Sequence, residues 1–153
     1  MMNIIQTLAK PYSAIARLLD LAAPLFDLGV RLWVAWVFFK SGLSKIQSWD
    51  STLMLFEYEY QVPLLPPDIA AYAGTAAELS LPVLVAIGLA SRLSALALFA
   101  FNAVAVIAYS SFLVGDNGAA GLQQHIMWGV MLLITVFHGP GKLSLDHWLC
   151  KKC

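Results

Sequence analysis

Charge is scarce in this sequence: 12% of its 153 residues are Asp, Glu, Lys or Arg, where a soluble domain carries ~25%. The shortage falls in blocks, because long apolar runs separate short segments that hold most of the ionisable side chains. That distribution excludes an ordinary water-soluble fold and is the pattern of membrane spans. Basic excess is absent too, with nine Lys and Arg against nine Asp and Glu, so no nucleic-acid partner is expected. Cysteine is limited to Cys150 and Cys153, which sit together at the C-terminal end and cannot staple a fold. The cysteines and paired histidines that haem or iron–sulfur centres require are missing. An electron-transfer enzyme working unaided is therefore not expected. Nor is a cleavable export signal, since Lys10, Arg17, Asp20 and Asp27 interrupt the apolar core that one would need.

What is present is apolar: 60% of the residues, with a mean hydropathy of +0.76. The fold class implied is all-α, an integral membrane four-helix bundle preceded by an N-terminal amphipathic interfacial helix. Leu8, Tyr12, Ile15, Leu18, Leu19 and Ala22 recur at helical spacing among Lys10, Arg17 and Asp20. Residues 1–24 are thus expected as a helix on the membrane surface, broken at Pro24. Spans follow at about 25–43, 69–90, 93–114 and 122–138, within a domain over 25–141, and residues 142–153 form a tail. Between the first two spans, the aromatic and acidic stretch from Ser44 to Asp68 predicts one long loop folded back on the bilayer surface, with Trp49, Tyr58 and Tyr60 at headgroup level. Gly139–Pro140–Gly141 closes the last span.

Orientation follows from Lys and Arg near the span ends. With the N-terminus in the cytoplasm, Lys10, Arg17, Arg92, Lys142, Lys151 and Lys152 lie inside, and Lys45, with Lys40 just below it, lies outside. The sequence therefore predicts a multi-pass membrane protein with both termini inside.

Glu78 is the costly residue, because a charge at mid-bilayer costs at least ~2.5–3.5 kcal/mol. It must be paired, protonated or facing a wet cavity. Arg31, Ala35, Phe38, Gly42 and Lys45 share one face of the first span, and Lys40 points away from it. Ala71, Gly74, Thr75, Glu78 and Pro82 make a face of small residues on the second, which is where membrane helices touch. Either Arg31 or Lys45 is a candidate partner for the acid. Tyr109 and His125 fall in the same outer half, so Glu78, Lys45, Arg31, His125 and Tyr109 form a candidate intramembrane site. Two readings stand. One is a buried ion pair that fixes helix register; the other is a site for a proton, a quinone head group or a small polar substrate. Cys150 and Cys153 have the spacing of dithiol redox and soft-metal sites, with lysines between them that lower thiol pKa. A pendant tail without a role is the alternative.

Three segments together resemble the DoxX family of small bacterial membrane proteins. The first span reads RLWVAWVFFKSGLSK, with Arg31, Gly42 and Lys45 in an Arg…Gly-x-x-Lys pattern. The second reads AELSLPVLVAIGLASRLSA, with Glu78, Gly88 and Arg92, and the chain closes on GPGKLSLD, with Gly139, Gly141, Ser144 and Asp146. The resemblance implies a four-helix bacterial membrane protein. It further implies an accessory or membrane subunit of a redox system, quinone- or thiol-linked, since such family members include relatives of a thiosulfate:quinone oxidoreductase subunit and partners of thiol and superoxide defence enzymes. The expected partners are the lipid bilayer and either a redox protein or further copies of the chain, and quinone is the one cofactor the resemblance suggests. A permease for a small polar solute or metal ion, and a purely structural membrane partner, are the rivals.

Overall fold

The computed structural model describes the backbone of residues 2–115 and 117–149, and side chains from Tyr12 onward. Cys150 and Cys153, and with them the expected redox or metal-binding dithiol, lie outside the described residues. The described chain is helical: α1 Met2–Gln47, α2 Trp49–Tyr58, α3 Pro67–Ile87, α4 Ser91–Ala108, α5 Ser110–Leu113, α6 Ala119–His138 and α7 Leu145–Leu149. Four of these, α1, α3, α4 and α6, are long and apolar enough to cross a membrane, and they pack into one bundle, α1 on α3 and α6, α4 on α3 and α6. The protein is a multi-pass membrane helical bundle.

The break expected at Pro24 does not occur, because α1 runs unbroken through it. A proline withholds one N–H from the helix ladder, but the flanking Ala, Arg and Leu residues are strong helix formers. At ~1.5 Å per residue, the 46 residues of α1 extend roughly 69 Å, about twice a ~30 Å hydrocarbon core. The helix meets the rest of the bundle from about Asp27 onward. Before that point Tyr12, Ile15, Leu18, Leu19, Leu25 and Phe26 are exposed.

The stretch expected as a surface loop contains a helix. In α2, Thr52 and Phe56 are buried, and Phe56, Ala70 and Ala71 form a cluster with Trp49, Leu53, Tyr60 and Val62. Helix α2 thus lies across the start of α3 as a lid. Pro66 and Pro67 end the lid connection and start α3, where a proline at the first helical position has no N–H to leave unpaired.

The main core lies deeper, where Val34 of α1, Val85 of α3, Leu98 of α4 and Leu132 of α6 are wholly shielded. Phe38 fills the centre, with edge contacts to Phe101 and Trp128.

At the opposite end from the lid, α3 turns into α4. Gly88 ends α3 with φ +72°, and the Gly88 and Leu89 N–H groups both close on the Leu84 carbonyl, a left-handed stop that favours glycine. Ala90 follows with φ +47°, and α4 has no capping side chain of its own. Asp146 supplies the cap from the other end of the chain, accepting from Ala90 N at 2.8 Å and Ser91 N at 2.7 Å. Asp146 N in turn donates to the Gly88 carbonyl at 2.9 Å. Ser144 braces this segment, donating to the Gly141 carbonyl and accepting from His147 N.

Candidate functional site

One side chain per turn of α1 faces α3 near the lid: Ser41 and, four residues on, Lys45. Opposite them on α3 stands Glu78. Lys45 Nζ donates to Glu78 Oε1 at 2.9 Å, to Oε2 at 2.7 Å and to Ser41 Oγ at 2.9 Å, while Ser41 Oγ donates to Glu78 Oε1 at 3.1 Å. The two charged side chains are 13% and 9% exposed, so each relies on the other for solvation. The helices come close enough for this because Gly42 lies between them: a Cβ there would sit 3.0 Å from Glu78 Cβ and from Leu79.

The second polar pair joins α4 and α6. Asn102 Nδ2 donates to the His125 backbone carbonyl at 3.0 Å, and Asn102 Oδ1 lies 2.8 Å from His125 Nδ1. The carbonyl contact fixes which end of the amide faces the ring, so Nδ1 carries the proton of that second bond. The imidazole also packs edge-on to Trp128, at 4.8 Å between centroids.

The Lys45–Glu78 pair and, of the second pair, His125 border one cavity of about 400 Å³ in the lid half of the bundle. Ser41, Lys45, Glu78 and His125 supply its polar surface; Ala70, Ala73, Gly74 and Ala77 of α3, Phe101, Val104 and Ala105 of α4, and Phe56 under the lid supply apolar walls. Tyr60 and Tyr109 border it at the lid end. Their rings meet edge to face at 4.9 Å, and Tyr109 OH donates to Glu59 Oε2 at 3.2 Å. Burial, followed by the neighbouring Tyr109, Glu78 and Glu59, pushes the Tyr60 phenol up. Burial and the bond to Glu59 do the same for Tyr109. Both stay protonated at neutral pH. Among the described residues no cluster of His, Cys, Asp and Glu could hold a metal ion.

Of the five residues expected to converge, four border this cavity: Glu78, Lys45, His125 and Tyr109. Tyr109 does so at the mouth, with its hydroxyl turned to Glu59. Arg31 is not among them. It is 1% exposed at the turn end, its guanidinium donating to the Val85 and Ala86 carbonyls at 3.4 Å each and to the Leu143 carbonyl. The carboxylates that act on its charge are Asp27 and Asp146. Lys45, not Arg31, is the partner of Glu78. Lys40 is exposed, as its place on the wheel predicts. Ser41 and Asn102 were not among the candidate residues; the i, i+4 spacing of Ser41 to Lys45 was the available signal for one, and its polarity within an otherwise uncharged span for the other.

The DoxX sequence pattern matches residues 26–111 of this chain. The chain belongs to the DoxX family. A relative from Haemophilus influenzae, described as an uncharacterized protein, is 36% identical over 129 residues, covering 80% of this chain and 82% of that one. No solved structure matches. The DoxX-type motif residues separate into two groups in space. Gly42, Lys45 and Glu78 build the cavity floor. Arg31, Gly88, Gly141, Ser144 and Asp146 build the clasp at the turn end, where a Cβ on Gly88 would lie 2.3 Å from the Arg31 guanidinium and one on Gly141 2.6 Å from the Asp27 carboxylate. One group lies beside the cavity and the other holds three chain segments together.

Proposed function

We propose that this DoxX protein is a non-catalytic membrane subunit that supports a quinone- or thiol-linked redox system by holding a small amphipathic ligand, a quinone-type ring, in the cavity between α1, α3, α4 and the lid. The observation that carries this reading is the joining of the Lys45–Glu78 pair and the His125–Asn102 pair to a single apolar cavity of about 400 Å³. A register device alone needs the ion pair; it does not need space beside it. Apolar walls with a few convergent polar groups are what ligand sites generally present.

The permease reading needs a continuation of the cavity toward the turn end. Val34, Val85, Leu98 and Leu132 pack there with no exposed surface, which favours a blind site. Placement in the bacterial inner membrane with both termini inside puts the lid and the cavity mouth on the outer side. It also puts the amphipathic start of α1, with Arg17 and Asp20 on one side and Ile15, Leu19 and Phe26 on the other, on the inner side, continuing the axis of the first span.

The test is extraction of the protein from native membrane in lipid nanodiscs, followed by solvent extraction and mass spectrometry of what it retains. Near-stoichiometric retention of a quinone-type ring, lost in a variant whose cavity is filled by Ala105→Phe from the α4 wall, supports the reading. Retention of bulk lipid alone, unchanged in that variant, contradicts it.

A further inference from the structure

The polar floor of the cavity has a one-sided hydrogen-bonding character. An ammonium has three N–H donors, and Lys45 commits them to Glu78 Oε1, Glu78 Oε2 and Ser41 Oγ. Ser41 in turn commits its one hydroxyl proton to Glu78 Oε1. Every donor at the floor is spent inside the floor. The acceptors are not: each carboxylate oxygen has more than one lone-pair direction, and Glu78 Oε2 receives only Lys45.

The side wall repeats the pattern. His125 gives its Nδ1 proton to Asn102, and in the neutral ring the remaining nitrogen, Nε2, carries a lone pair and no proton. Among the described residues the polar partner of the imidazole is the Asn102 amide and no carboxylate pairs with it, which supports a neutral ring. Tyr60 at the mouth has a hydroxyl that both donates and accepts, so it does not discriminate.

The walls also show where a ligand enters. Ala73 and Val104 border the cavity, yet both are exposed, on the flanks of α3 and α4 away from the buried stripes of those helices. That flank, between α3 and α4 at the depth of the spans, faces lipid and not water, and it offers the cavity a sideways route.

We infer that the cavity takes a neutral, ring-sized amphiphile that presents a hydroxyl donor to Glu78 and His125, a membrane-dissolved phenol or quinol, and that it enters from the bilayer between α3 and α4. The inference rests on the cavity being the ligand site and adds which form of the ligand fits. An oxidised quinone offers carbonyl oxygens, which would face the remaining lone pairs of the carboxylate acceptor to acceptor and gain no hydrogen bond there. A quinol offers O–H groups, and each donates where the floor accepts. A cationic head would bring a net charge to a floor that is already neutral as a pair, a costly placement at this depth.

The experiment is calorimetric titration of the protein in lipid nanodiscs, under argon, with decylubiquinol and separately with decylubiquinone, two probes of equal tail and ring. Quinol binding tighter by about tenfold or more is expected, the difference between a charge-assisted hydrogen bond made and none gained. Ala73→Trp, at an exposed position on the cavity flank, should slow the association of both probes alike, read by stopped-flow quenching of protein fluorescence, by narrowing the side entry. Equal affinities, or tighter quinone, overturn the donor assignment while leaving the cavity a ligand site. Failure of both probes overturns the inference and the site reading together. Unchanged association rates with the Ala73→Trp protein overturn the side entry.

Discussion

Lys45 and Glu78 share two hydrogen bonds, at 2.9 and 2.7 Å, across the α1–α3 contact, and Ser41 closes a third side of the same polar knot. A pair this shielded does not by itself add much net stability, since desolvation offsets the attraction. Breaking it from one side is another matter, because the survivor is left charged without a partner.

Lys45→Met should therefore destabilise by roughly 3–5 kcal/mol, and combining it with Glu78→Gln should recover much of that loss. Thermal unfolding in detergent of the two single variants and the double variant checks this. Additive losses would show that the two side chains are not energetically coupled.

Gly42 and Gly29 make a contrasting pair on α1. A methyl on Gly42 would press on Glu78 and Leu79 at 3.0 Å, whereas one on Gly29 meets nothing within 4 Å. Gly42→Ala should cost about 1–3 kcal/mol through overpacking, and Gly29→Ala should be neutral or stabilising by roughly 0.5–1 kcal/mol. The melting temperature of the Gly42→Ala variant should fall, and that of the Gly29→Ala variant should hold or rise.

Asp146 ties the end of the described chain to the α3–α4 turn. Burial pushes its carboxyl up, but the bonds from Ser91 and Ala90 and the charge of Arg31 outweigh that and hold it below the ordinary aspartate value. A depressed native pKa means that the stabilisation is fully present above the unfolded value, about 3.9, and is lost as pH falls through the native one. Asp146→Asn should cost roughly 1 kcal/mol at neutral pH, as loss of a cap does, and the gap to the parent should shrink on acidification below about pH 4. A gap that holds constant from pH 7 to 3 would show that the carboxylate charge contributes nothing.

The proposed orientation predicts that a cysteine placed at Asn117, between α5 and α6, reacts with an impermeant maleimide added to intact cells. Cys150 and Cys153 should stay unlabelled until the membrane is opened. Labelling of the native pair from outside would reverse the orientation.

The spans were legible because uninterrupted apolar runs leave few alternatives, and the Gly139–Pro140–Gly141 stop is chemically unambiguous. The lid was less so. Proline and acidic residues suggested a loop, yet Trp49, Leu53, Phe56 and Tyr60 recur at helical spacing, and that period proved to be the better guide. Pro24 misled in the same way, since local composition on both sides of it outweighed one missing N–H. For Arg31 the wheel gave the face and left open whether it or Lys45 meets the acid. Fourteen residues separate it from Lys45, about 21 Å along a helix, so the two cations cannot serve one acid. The pairing of Asn102 with His125 depends on the relative height of α4 and α6, which no periodicity within either helix contains.

The central claim is that the space beside Glu78 is a ligand site. Photolabelling with a tritiated azidoquinone in native membranes, followed by peptide mapping, tests it most directly. The account predicts label on cavity residues, between Ala70 and Glu78 of α3 and between Phe101 and Tyr109 of α4, displaced by excess unlabelled ring compound. Label spread over lipid-facing positions such as Trp33, Trp36 and Ile126, with no displacement, would contradict it.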